Sequence, residues 1–150
     1  MDQLPSAGTN FGFWDLDVRG KPSSRSHSVL IIEDEPVLRV LLRDLLCGDG
    51  YQVLEAEDGR QGMRLFNQVR PDIVLLDILM PEMDGIETVQ DIRRIDPAAV
   101  VFIMTGGTLS EVTSKTALLL GANRAFLKPL DTNELLGAIR NVLAPGSSGS

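Results

Sequence analysis

Between residues 28 and 143 the chain switches back and forth between two hydrophobic periods. Short, nearly continuous apolar runs predict strands over Val29–Glu33, Tyr51–Glu55, Asp72–Asp77, Val100–Thr105 and Arg124–Leu127. Apolar residues three and four apart predict helices over Pro36–Leu46, Gly59–Val69, Ile86–Ile95, Leu109–Leu120 and Thr132–Leu143. The first helix carries the fullest stripe, with Val37, Leu38, Leu41, Leu42, Leu45 and Leu46 at helical spacing. Asp34 and Asp131 stand where N-caps belong, Pro36 is tolerated in a first turn, and Gly48 to Gly50 and Gly121 are terminators. Strands one, three and four are nearly all apolar, as central strands covered on both faces must be. Five strands alternating with five helices through right-handed crossovers make a three-layer α/β sandwich.

Composition narrows what such a domain can do. At 150 residues the chain is long enough for one domain with a hydrophobic core, and 43% apolar against 23% charged residues is globular composition. The 21 acidic and 14 basic side chains leave a net charge of -7, which argues against direct nucleic-acid binding by counterion release. Apolar runs such as Val29–Ile32 and Ile73–Leu76 are far short of the roughly 20 residues a membrane span needs. The start shows no secretory signal. Cys47 and His27 are each the only residue of their kind, so no internal disulfide and no Cys/His metal cluster can form. A reducing, cytoplasmic compartment is expected, with Cys47 a structural thiol.

The two ends read differently from the middle. Residues 1–27 hold Pro, Gly and a Ser-rich stretch, and their three acidic and three basic residues cancel, which predicts a flexible arm. That arm nevertheless packs Phe11, Phe13 and Trp14 into four positions, either as a local cluster or as a docking peptide or added edge strand. Residues 144–150 read as a disordered Gly/Ser tail.

In an open parallel sheet the functional crevice lies at the carboxyl ends of the strands. Strand one ends in Glu33-Asp34-Glu35, strand three in Asp77, strand four in Thr105 and strand five runs into Lys128-Pro129. Each acid taken singly could be a helix cap, but the set is another matter. Clustered carboxylates repel one another unless a hard cation fills the gap, and Mg²⁺ accepts few carboxylates together with water and phosphate oxygens. With a lysine alongside, the rim reads as an acidic Mg²⁺ pocket that handles a phosphoryl group.

Over about residues 28–143 the sequence resembles the receiver domain of two-component response regulators. The resemblance rests on Ile31-Ile32-Glu33-Asp34-Glu35-Pro36, Asp77-Ile78-Leu79-Met80-Pro81-Glu82-Met83-Asp84-Gly85, Met104-Thr105-Gly106, Gly121-Ala122-Asn123 and Lys128-Pro129-Leu130. It implies a flavodoxin-like (βα)5 fold with sheet order 2-1-3-4-5. It makes Asp77 the phosphoacceptor for a sensor histidine kinase or a histidine phosphotransfer protein. Asp34, Asp77 and the backbone carbonyl of Leu79 would hold Mg²⁺, with Glu33 ligating directly or orienting a bound water. Thr105 and Lys128 would meet the phosphoryl oxygens, and Pro129 would follow a cis peptide bond. By the same resemblance the domain is a switch that modifies only itself and signals to a protein target, with homodimerisation possible. A single-domain receiver is expected.

Two features depart from the family pattern. Three residues before Lys128, where an aromatic partner of the threonine is usual, stands Ala125; Phe126 follows with opposite strand facing. This puts in question the coupling of Thr105 to the face of the fourth helix, fifth strand and fifth helix. Leu79 and Gly107, two residues after Asp77 and Thr105, offer no group to orient an attacking water, so a long-lived phosphoryl state is expected. Ala125 and the aromatic arm also support an alternative, a phosphorylation-independent interaction scaffold on the same fold.

Overall fold

A computed structural model describes residues 27–78, 85–107 and 110–143. In chain order the elements are β1 (Ser28–Ile32), α1 (Pro36–Gly48), β2 (Gln52–Ala56), α2 (Gly59–Val69), β3 (Ile73–Asp77), α3 (Gly85–Ile95), β4 (Val100–Thr105), α4 (Ser110–Leu119), β5 (Arg124–Leu127) and α5 (Thr132–Leu143). The expected type of every element holds, with α2, β4, β5 and α5 ending where expected and the other ends moved by at most two residues. All strands pair in parallel, in the order β2-β1-β3-β4-β5. The α/β three-layer, flavodoxin-like architecture is therefore present.

Strand alternation divides the core between two layers. Val29 and Ile31, Ile73 and Leu75, Phe102 and Met104, and Phe126 face α1 and α5, where Leu42, Leu46, Leu135 and Ile139 meet them. Leu30 and Ile32, Val74 and Leu76, and Val101 and Ile103 face Phe66 of α2, Val89 and Ile92 of α3 and Ala117 of α4. Ala125 packs against this second layer, while Phe126 stacks at 5.4 Å on Phe102 in the first. The opposite facing of the two residues expected from the sequence is thus found. Cys47 is half-buried against the α1–α5 layer, as expected of a structural thiol.

One expected cap is corrected. Asp34 does not cap α1; the N-cap residue is Glu35, without a side-chain cap hydrogen bond. Pro36 at the first helical position has no amide hydrogen, so the first turn carries one orphan donor fewer and its φ is already set for a helix. The Glu35 amide itself donates to Glu33 Oε2 at 3.1 Å. Asp131 does cap α5, its Oδ1 accepting from the Asn133 and Glu134 amides at 3.0 and 3.1 Å. Asp58 caps α2 through the Gln61 amide at 2.8 Å, a cap the sequence pattern did not single out. The arm before His27, the tail 144–150 and the segment holding Leu79, Met80, Pro81 and Met83 lie outside the described residues.

Candidate functional site

Parallel register is what gathers the site. Ile32 stands beside Leu76 and Asp77 beside Met104, so the next residue of each strand arrives at the same rim. Three backbone bonds carry the ladder past the strand ends: the Glu33 amide to Ala56 O at 3.0 Å, the Ile78 amide to Met104 O at 3.2 Å and the Lys128 amide to Thr105 O at 2.7 Å. The last fixes Lys128 next to Thr105. The Lys128–Pro129 peptide is cis, as the family resemblance implied.

Glu33, Asp77 and Thr105 are buried, at 0%, 3% and 0% exposure, whereas Asp34 is exposed. Glu33, Asp34 and Asp77 each bring a carboxylate oxygen within 4.8 Å of the others. Lys128 Nζ lies 3.2 Å from both Glu33 Oε1 and Asp77 Oδ2. Of the site residues expected from sequence, all those described therefore meet at one rim. The carbonyl of Leu79 lies outside the described residues.

The electrostatics follow from burial. Loss of water, and then the charge of Asp77, push the Glu33 carboxyl up to about 7, against the pull of the Glu35 amide and Lys128. Burial works against the charge on Lys128, but Asp77 and Glu33 outweigh it and hold its ammonium above the usual lysine range. One cation thus serves two buried carboxylates, and Asp34 adds a third acid at the mouth. Three hard oxygen donors with a single lysine among them suit a divalent cation such as Mg²⁺. The Thr105 hydroxyl is buried and has no hydrogen-bond partner among the described residues. A group so placed is costly unless something arrives to bond with it.

One contributor escaped the sequence reading. Arg39, in the second turn of α1, donates from Nη1 to the Glu33 carbonyl at 2.8 Å while its Nε lies 3.4 Å from Glu55 Oε1 on β2. It ties the acidic loop to the neighbouring strand. Nothing in the sequence separates such an arginine from one on a solvated helix face.

Residues 29–140 match the family model of the response regulator receiver domain. The chain belongs to this family. The receiver is 35% identical over 120 residues to chemotaxis protein CheY of Bacillus subtilis, covering 79% of this chain and 98% of that one. It is 36% identical over 119 residues to sporulation initiation phosphotransferase F of the same organism, with coverage of 79% and 94%. Against "Probable transcriptional regulator ycf27" of Guillardia theta it is 36% identical over 129 residues, which are 86% of this receiver and only 48% of that protein. The chain thus spans about half the length of some curated relatives it matches. Among solved structures, a response regulator receiver domain protein from Clostridium thermocellum superimposes with a TM-score of 0.74 at 30% identity, over 78% of this chain and 94% of that one. Among the described residues no helix is long and apolar enough to cross a membrane.

Proposed function

We propose that this receiver accepts a phosphoryl group on Asp77 from a sensor histidine kinase or a histidine phosphotransfer protein, and that the modified domain switches its binding to a protein target. The observation that carries the reading is the meeting of Glu33, Asp34, Asp77 and Lys128 at one rim, beside a buried threonine hydroxyl that has no partner among the described residues. In the transfer, an Asp77 carboxylate oxygen bonds to phosphorus as the donor's phosphorus–nitrogen bond breaks. The donor imidazole, protonated on its other nitrogen, leaves with the bonding pair as a neutral ring. Bound Mg²⁺, held by Glu33, Asp34, Asp77 and the Leu79 carbonyl, would neutralise charge on the phosphoryl oxygens. Lys128 then exchanges its ion pair with Asp77 for one with the phosphoryl group, and the Thr105 hydroxyl donates to another phosphoryl oxygen. Such a domain is consumed and regenerated with its signal and turns over no external substrate.

The test is intact-mass spectrometry after incubation with Mg²⁺ and acetyl phosphate. The parent gains one phosphoryl group, about 80 Da, and Asp77→Asn gains none. If neither acetyl phosphate nor a histidine kinase modifies the parent and Mg²⁺ does not bind, the reading fails and the scaffold alternative replaces it. The lifetime of the phosphoryl state is a second readout. Gly107 itself has no side chain to orient a water, and among the described residues nothing lies within 4 Å of where its Cβ would stand. Decay over seconds without a phosphatase would overturn the expectation of a long-lived state.

A further inference from the structure

A cavity of about 1060 Å³ opens beside the acidic cluster and shares Lys128 with it. Val37, Leu38, Leu41 and Leu45 of α1 line one side, and Pro129 and Leu130 of the β5–α5 connection the other. Its apolar character comes from the width of the α1 stripe. The row Leu42–Leu46 is buried in the sheet layer, while the adjacent row leaves Val37 66% and Leu41 60% exposed. Contiguous apolar surface of this kind marks a binding site.

We propose that this groove is the docking site of the chain's own segment Phe11–Val18. The segment reads Phe-Gly-Phe-Trp-Asp-Leu-Asp-Val and holds three of the seven aromatic residues of the chain. In an extended conformation Trp14, Leu16 and Val18 share one side and Phe11, Phe13, Asp15 and Asp17 the other, so Trp14 is the aromatic that meets the groove, flanked by Leu16 and Val18, while the carboxylates stay in water. Reach is sufficient. The arm joins the domain at the base of the sheet, where the Ser28 amide donates to Asp72 at 2.8 Å. From there to the groove is roughly the length of α1, about 20 Å at 1.5 Å per residue. Residues 15–27 can span about 40 Å when extended. That connecting stretch carries Arg19, Lys21 and Arg25, and the margin of the groove it passes carries Asp44, whose side chain is 67% exposed. Asp44 Oδ1 already pairs with Arg43 at 3.2 Å, so the stretch meets a carboxylate that is exposed but partly neutralised.

Trp14 is the one tryptophan in the chain, so its fluorescence reports the occupant directly. In the full chain its emission lies to the blue of a solvated indole and resists quenching by acrylamide, independently of protein concentration. Val37→Lys and Leu41→Lys each place a charge on the groove at a solvent-facing helical position that tolerates lysine. Both variants melt as the parent does, shift Trp14 emission to the red and raise acrylamide quenching several-fold. A solvated emission in the parent overturns the proposal, as does a protected one that ignores both variants. Protection that disappears on dilution assigns the groove to a second copy and overturns it as well. Neither Mg²⁺ nor a phosphoryl donor enters the measurement, so its failure leaves the reading of Asp77 intact.

Discussion

Glu33 holds the sharpest conflict in the molecule, a fully buried carboxylate beside a second acid with one lysine between them. Its folded pKa of about 7 lies above the ordinary glutamate value of 4.5, so the folded state binds the proton more tightly than the unfolded chain. Stability therefore falls as pH rises from the ordinary value through 7, then levels off. In metal-free protein Glu33→Gln raises stability by on the order of 1–2 kcal/mol at pH 8, where the buried charge is present, and changes little at pH 5. Thermal melts in EDTA check this, and saturating Mg²⁺ reverses the order at pH 8. Thr105→Val removes a buried hydroxyl that has no partner among the described residues while keeping the side-chain shape. It leaves the melting temperature equal or higher, yet removes any difference that phosphorylation makes to target binding. These residues were legible from sequence because each directly follows or ends an apolar run, and the parallel fold sends all such positions to one rim. The role of Arg39 was not, since its acceptor is a backbone carbonyl, which no side-chain pattern reveals.

At the scale of elements, Arg93 near the end of α3 is the chief fastener at the base. Its guanidinium donates to Pro97 O at 2.8 Å and Ala99 O at 2.7 Å, and to Asn123 Oδ1 at 3.1 Å, joining α3 to the start of β4 and to the approach to β5. Arg93→Met leaves those acceptors short of a donor and costs about 1–3 kcal/mol, read from urea unfolding midpoints. Gly85 fastens the other end of the same helix. A Cβ there would collide with the backbone of Ile78, so Gly85→Ala forces α3 away from β3 and destabilises by about 1–3 kcal/mol in the same assay. The sequence shows Gly85 only as the last residue of the motif that starts at Asp77, whereas the structure shows a close approach of the helix to the end of β3. The strands of the centre were legible because both faces are buried and the runs are uninterrupted. The α1 stripe was over-read in one respect: its six apolar positions predict a helix correctly but do not say which row meets the sheet. That depends on how far α1 rolls against β1 and β2, which the row itself does not encode.

For the whole molecule, a docked arm would stand beside the rim from which a large donor must reach Asp77, but would leave the acids themselves open to small molecules. Trp14→Ala is accordingly expected to speed transfer from a phosphorylated protein donor and leave uptake from acetyl phosphate unchanged, both followed by intact mass. The layered order of the fold was readable from alternating periods alone. The groove was not, because its walls come from α1 and from a connection some 90 residues later, and concavity has no sequence period. The direction of the strands has one more consequence. β1 begins at the base and α5, descending from Thr132, ends there at Leu143, while Glu33, Asp34 and Asp77 lie at the opposite end. With strands of five residues, that separates the points of attachment from the chemistry by about 17 Å. The domain therefore behaves as a cartridge with a working end and a mounting end. A fusion partner joined through a short linker directly before Ser28 or after Leu143 stays clear of the rim, and only a leader long enough to climb the flank can reach it.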